Sequence, residues 1–362
     1  KNKPSKISRK KFLKTGLLGT AGILTSQACK PETAKSAAIH TKKRVQWRMI
    51  TTWPANFPVL GEGCNMLANW VEEMSDGRFK IKVYGGGELA PALETFDAVS
   101  DGSVEMGNGA AYYWGGKIPA APIFCTIPFG MNAQQMNAWI YEGGGYDLWK
   151  EAYAPFDVIP FAGGNTGPQM GGWFNKSIDS IEDFQGLKMR IPGLGGKVVE
   201  KVGGAAVVSP GSEIYTNLER GVIDATEWVG PYHDYLMGFY KIAKYYYYPG
   251  WHEPGPILEN IVNREAWEGL PKDFQAILET ASARQNIWSL SAFEAKNNIY
   301  LQKIIDESDV EIRSFSEDTL RALKGATESV MQTLTEKDVF AKKVYDHYQV
   351  FRKGITNWNQ FG

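Results

Sequence analysis

One arginine and one glutamate carry most of the chemistry this sequence offers. Arg190 stands in Leu187-Lys188-Met189-Arg190-Ile191-Pro192-Gly193, at the end of an apolar run that reads as a strand. A guanidinium so placed suits a bidentate pair with a carboxylate. It equally suits a structural salt bridge or a solvated edge. Glu227 follows the apolar Ile223 to Ala225 and precedes Trp228. A carboxylate facing the same anion as Arg190 would repel that anion. Two arrangements resolve the conflict. Either Glu227 holds a cation that itself touches the anion, or Glu227 pairs with Arg190 and no metal is involved. Hard cations take oxygen donors. Gln169 offers an amide oxygen, and Trp228 offers only its backbone carbonyl, because an indole has no acceptor.

Motifs for covalent or metal-assisted catalysis are sparse. The histidines are His40, His233, His252 and His347, and none sits in HExxH. Pro254 directly after His252-Glu253 argues against a zinc-binding helix there. Gly193-Leu194-Gly195-Gly196-Lys197-Val198 lacks the Ser or Thr after lysine and the leading glycine of a phosphate loop. There is no GxSxG elbow, and Cys125, between Phe124 and Pro128, reads as core. A secreted carboxylate-processing enzyme therefore has only His252, Glu253 and Glu227 as acid–base candidates, with no motif to arrange them.

The elements that must hold these residues can be traced by periodicity. Val45, Trp47 and Met49 alternate as a strand ending near Thr52. Leu60, Cys64, Leu67, Val71 and Met74 recur at helical spacing, with Gly77 as the stop. Phe79, Ile81 and Val83 alternate again, Leu93 to Val99 reads as a helix, and Val104 to Gly107 as a short strand. The order recurs as a strand at Leu187–Ile191, a helix at Gly195–Val202, a strand at Ala206–Val208, a helix at Glu213–Arg220 and a strand at Val222–Ala225. Such alternation predicts an α/β protein of two similar lobes, with parallel-rich sheets flanked by helices. Ligands of open α/β sheets sit at the carboxyl ends of strands, which singles out Asn108, Tyr112 and Tyr113 on one side and Glu227 and Trp228 on the other. From Pro271 the pattern is helical, with one long helix over Phe274–Ile305, a short strand over Val310–Phe315 and two further helices to about Lys353.

Composition permits this reading. The chain has 362 residues, 43% of them hydrophobic, enough for more than one core layer. A net charge of −1 gives no basic surface for nucleic acid. The basic Lys1–Lys14, followed by the apolar Thr15–Thr25, reads as an export signal, and residues up to 43 read as a tether. Cys29 sits where a lipidated cysteine would sit, although Ser26 replaces the usual leucine three residues earlier.

Four longer segments carry a resemblance. Asn165-Thr166-Gly167-Pro168-Gln169-Met170-Gly171-Gly172-Trp173-Phe174, the stretch 186–196 (GLKMRIPGLGG), the stretch 221–230 (GVIDATEWVG) and the stretch 245–255 (YYYYPGWHEPG) resemble the solute receptors of tripartite ATP-independent periplasmic (TRAP) transporters, in the branch that takes 2-oxo acids. The likeness runs over about residues 44–355. It implies a two-lobed periplasmic-binding-protein-like fold that closes on its ligand. Residues 44–167 would form the first lobe, with part of 255–362 returning to it, and 168–254 the second. Residues 271–362 would form a helical region able to serve a homodimer. It implies that Arg190 pairs with the ligand carboxylate. Gln169, Glu227 and Trp228 would hold a metal ion, sodium first and calcium second, that also contacts the ligand. Asn165, Tyr112 and His252 are the further expected ligand contacts. The expected ligand is a small monocarboxylate, with 2-oxo acids such as pyruvate before 2-hydroxy acids such as lactate. The expected partner is a membrane permease.

Overall fold

The computed structural model describes residues 43–358; the expected export signal and the tether up to residue 42, with Cys29 and His40, lie outside the described residues. The strands are β1 (Val45–Thr51), β2 (Phe79–Tyr84), β3 (Met106–Gly109), β4 (Val158–Asn165), β5 (Gly172–Phe174), β6 (Lys188–Arg190), β7 (Ala205–Val207), β8 (Ala225–Thr226), β9 (Tyr245–Tyr248), β10 (Ile257–Asn263) and β11 (Glu311–Ser314). They form two sheets, ordered β2-β1-β3-β10-β4 and β11-β9-β5-β8-β6-β7.

In β1, Trp47 and Met49 turn inward while Gln46 and Arg48 face out, as alternation requires. β1 runs parallel to β2, with Trp47 opposite Ile81, and parallel to β3, with Met49 opposite Met106. The first sheet is completed by an antiparallel pair that alternation does not reveal. β10 lies between β3 and β4, with Asn260 opposite both Asn108 and Phe161. Both strands are covered on both faces, so no period of two survives in them. They also carry residues unusual in strands. A side chain at Gly163 would stand 2.5 Å from the Asn260 amide, so glycine is what lets these two strands meet.

Two strand boundaries differ from expectation for one reason. β3 begins at Met106, not Val104, and β8 at Ala225, not Val222. The Val104 amide donates to the Ala98 carbonyl (3.1 Å) and the Val222 amide to the Asn217 carbonyl (2.9 Å), each closing the preceding helix after a glycine of positive φ. Those amides are therefore spent on the helix end and unavailable to the sheet.

In the second sheet β6 is parallel to β7 and β8, β5 is antiparallel to β8 and β9, and β11 adds to β9 in parallel. The tyrosine run of β9 splits as a strand must. Tyr246 stacks on Trp173 with ring centroids 4.0 Å apart, Tyr247 packs on Phe315 at 4.7 Å, and Tyr248 is exposed.

The helix Leu60–Met74 buries the expected stripe of Leu60, Cys64, Leu67 and Val71. Cys64 and Cys125 are both buried and free, so neither serves as an accessible nucleophile. The long helix spans Lys272–Glu307 and touches β4, Leu60–Met74 and the helix Pro231–Met237, so it borders elements of both sheets. The helix Glu317–Lys337 rests on Gly193–Lys201, and the last helix, Val339–Trp358, returns to the helices Ala133–Tyr141 and Gly145–Tyr153 beside the first sheet. There Phe124 is stacked between Trp139 and Trp149 at 5.8 and 5.6 Å, and the Tyr348 hydroxyl accepts from the Met131 amide at 2.8 Å. No helix among the described residues is long and apolar enough to cross a membrane.

Candidate ligand and cation site

Parallel pairing of β6 with β8 brings the two key residues together. Arg190 lies opposite Thr226, and the Glu227 amide donates to the Arg190 carbonyl at 3.2 Å. Both residues are only 1% exposed, which makes their charges a matter of partners alone. The Arg190 Nη1 group donates to the Glu227 carboxylate. Its Nε and Nη2 donate to the Ser209 carbonyl at 3.3 and 3.2 Å, and Nη2 also reaches the Tyr113 hydroxyl at 3.3 Å. The guanidinium carbon lies 5.4 Å from the Trp228 ring centroid. Burial alone would lower the Arg190 pKa, but Glu227 and then the Tyr113 and Tyr112 hydroxyls lift it above its ordinary value, so the cation persists. The direct ion pair is therefore present, and it engages only one Glu227 oxygen: Oε2 faces His252 instead.

Three donor groups converge beside that pair. Atoms of Glu227, His252 and Glu253 lie within 4.8 Å of one another, all buried, with His252 Nε2 3.5 Å from Glu227 Oε2. The Glu253 carboxyl is held well above the usual carboxylate range, first by burial and then by the Glu227 charge. A further oxygen faces them from the β4–β5 connection. Gln169 Nε2 donates to Thr166 Oγ1 at 3.1 Å, while the buried Gln169 Oε1 has no hydrogen-bond partner. The Gln169 amide donates to the Glu253 carbonyl (3.2 Å), and a side chain at Gly250 would stand 2.1 Å from the Gln169 carbonyl, so this glycine permits the close approach of the two segments. An orphaned amide oxygen beside two buried carboxyl groups fits a hard cation: the group supplies oxygen donors, and a positive charge there would relieve the repulsion from Glu227 that holds the Glu253 carboxyl up.

Arg190, Gln169, Tyr112 and Trp228 line one cavity with Trp53, Leu60, Thr166, Val229 and Leu258. Its volume is about 10 Å³, the space of one water, so a solute can occupy it only when its walls part. Glu227 and His252 stand beside it. Asn165 is placed differently from the other expected ligand contacts: its Oδ1 accepts from the Gly167 amide at 2.8 Å and its own amide donates to Ser289 Oγ at 2.9 Å, which braces the turn carrying Gln169. Asn108 likewise supports the wall, accepting from Trp53 Nε1 at 2.6 Å. Sequence reasoning passed over Trp53, Leu60, Val229 and Leu258, and considered Glu253 only as an acid–base group. Trp53 was within reach, since it follows the carboxyl end of β1. Glu253 carried no signal as a cation ligand, because Glu227 and Gln169 lie far from it in the chain.

Comparison with known proteins agrees with this geometry. The family described as bacterial extracellular solute-binding protein, family 7, matches residues 49–338. A monocarboxylate 2-oxoacid-binding periplasmic protein of Nostoc sp. strain PCC 7120 is 42% identical over 354 residues, 98% of this chain and 96% of that protein. A TRAP periplasmic solute-binding protein of Pseudoalteromonas atlantica, solved with bound sodium and pyruvate, is 41% identical with a TM-score of 0.86, over 88% of this chain and 97% of that one. A TRAP solute-binding protein of Bordetella bronchiseptica, a mixed-occupancy dimer with calcium and picolinate at its active site, is 37% identical with a TM-score of 0.87, over 88% and 95% of the two chains. Two mixed sheets, a cavity at their facing strand ends and this match over most of the length lead to one statement: the chain belongs to the family 7 bacterial extracellular solute-binding proteins, the receptors of TRAP transport.

Proposed function

We propose that this receptor captures a small 2-oxo monocarboxylate, pyruvate before a 2-hydroxy acid such as lactate, and yields it unchanged to the permease of a TRAP system. The observation that carries this reading is the buried, unpartnered Gln169 Oε1 beside Glu227 and Glu253, adjoining the Arg190 guanidinium. Arg190 neutralises the ligand carboxylate and keeps its hold on the Ser209 carbonyl, which fixes the plane of its fork. Gln169, Glu227, Glu253 and the Trp228 carbonyl hold the cation, sodium first and calcium second. A cation held there would supply a second positive anchor for a carboxylate and its 2-position oxygen, so acids lacking that oxygen would lose one anchor. Tyr112, Trp53 and Leu258 enclose the short carbon chain. The ligands of the Pseudoalteromonas and Bordetella proteins, pyruvate and picolinate, share a carboxylate with a neighbouring donor atom, which supports the chelate.

Thermal shift of the leader-free protein against a panel of carboxylates, with sodium, with calcium and with chelator, tests this. Cation-dependent stabilisation by 2-oxo and 2-hydroxy acids, absent with propionate, is expected. No shift with any carboxylate removes the ligand class. Pyruvate recovered chemically unchanged after incubation, checked by proton NMR, separates a receptor from an enzyme.

Two further assignments belong to the same reading. Cys29 carries a lipid anchor, tested by the mass of the mature protein and by Cys29→Ser. The C-terminal helices serve a homodimer, tested by light scattering. Val339, Val350 and Trp358 of the last helix are largely exposed, which supports an apolar contact there.

A further inference from the structure

A contact outside the cation site joins the two sides of the cleft. Between β1 of the first sheet and the helix Leu60–Met74 the chain turns at Val59, whose φ of 60° and ψ of −51° belong to the strained three-residue turn. The Leu60 amide closes that turn onto the Pro58 carbonyl at 2.7 Å. A β-branched residue in this conformation persists only where its surroundings hold it. The turn aims Leu60 into the ligand cavity.

The same Pro58 carbonyl accepts a second bond, from a residue that follows the second sheet. His233, on the helix Pro231–Met237 just after β8, brings Nε2 to within 2.7 Å of it. The imidazole is fully buried between Phe57 (ring centroids 4.7 Å) and Phe293 of the long helix (4.6 Å), and its Nδ1 has no partner. Burial keeps it neutral, its pKa pushed down to about 3, so its one N–H must sit on Nε2 to face a carbonyl. Phe57 also meets the edge of Trp228, 6.1 Å away, which ties this contact to the cation-site loop.

We propose that His233 is a positioning residue: its bond to Pro58 latches the closed cleft, holding the strained Val59 turn and with it Leu60 against the ligand. The latch is made by groups that follow different sheets, so parting the cleft breaks it, and the strained turn then favours release. The bond sets the closed fraction, and the observed affinity scales with that fraction. The proposal rests on the carboxylate reading for its probe, pyruvate with sodium.

His233→Leu removes the donor and keeps a buried apolar side chain, and His233→Gln keeps an N–H. Stopped-flow and calorimetric binding of pyruvate in saturating sodium are expected to show roughly 10-fold weaker affinity in His233→Leu, almost all of it as faster dissociation, with partial recovery in His233→Gln. In the unaltered protein, nitrogen NMR of the histidines should show an Nε2–H protected from water that appears, or sharpens, when pyruvate and sodium are added. This measurement needs no variant to fold, and a His233 signal identical with and without ligand overturns the latch. So do variants that fold and bind as the parent does, or that lose affinity equally whether or not the donor is kept. A parent protein that ignores every acid in the panel is a different outcome: it removes the ligand reading and, with it, the latch's part in ligand capture.

Discussion

Arg190 and Gln169 mark the two ends of the proposed chelate, and each supports its own test. Arg190→Ala leaves a ligand carboxylate buried without its counter-charge, which is expected to weaken pyruvate binding by about 2–5 kcal/mol; calorimetry gives this directly, and unchanged affinity ends the role. Gln169→Leu is nearly isosteric and removes only the orphaned oxygen and the side-chain amide N–H that donates to Thr166. Its expected signature is roughly a 10-fold or greater loss of the sodium or calcium dependence of binding, read by cation titration at fixed pyruvate. Two buried acids outside the cleft set a pH response. Asp234 accepts from Trp173 Nε1 (2.9 Å), Tyr246 hydroxyl (2.7 Å) and the Val229 amide (3.3 Å), and Glu259 is clasped in the same way by Trp114 Nε1 and the Tyr153 hydroxyl. Burial pushes both up to about 7 against the pull of these donors. Between the ordinary carboxylate range and about 7 the folded chain keeps protons that the unfolded chain has lost. Both groups therefore take stability away as pH rises through that window, and neither changes it further above. Melting temperatures from about pH 5 to pH 8 should show a downward component that Asp234→Asn and Glu259→Gln each flatten. A slope that neither variant alters excludes this assignment.

At the scale of elements, the last helix is the clearest test of packing. Val339–Trp358 buries Ala341, Val344 and Tyr348, and the Tyr348 ring meets Trp139 of the Phe124–Trp139–Trp149 stack edge-on at 5.2 Å. Ending the chain after Lys337 uncovers these rings, at an expected cost on the order of 5 kcal/mol in urea unfolding. The same variant should be monomeric if this helix carries the dimer. What the sequence revealed at this scale follows burial geometry. β1, β2 and the helix Leu60–Met74 each keep one wet face, so their periods stand out. β4, β5 and β10 are covered on both faces and contain Gly163, Gly164 and the polar Glu259 and Asn260, so neither alternation nor hydrophobicity marks them. The site divides in the same way. Arg190, Glu227 and Trp228 were legible because they sit at the ends of readable strands, whereas Gln169 was legible only as an oxygen donor of the right chemistry, its place at the site resting on the resemblance, and Leu60 reaches the cavity through a strained turn that no local residue pattern announces.

For the whole molecule, the cavity's small volume makes closure measurable. A receptor that must open to admit a solute should scatter as a larger particle without ligand than with pyruvate and sodium, and small-angle scattering is expected to show the radius of gyration fall on loading. Equal profiles would mean that the walls part only locally. The path of the chain adds a consequence of a different kind. It leaves the first sheet after β4, returns to it as β10, and reaches the second sheet again as β11. The last helix then comes back to the helices beside the first sheet. A single genetic crossover between two such receptors therefore cannot exchange one sheet as a unit, because any junction leaves at least one sheet with strands from both parents. A chimera that takes each sheet whole from a different parent will need three junctions, between β4 and β5, between β9 and β10, and between β10 and β11.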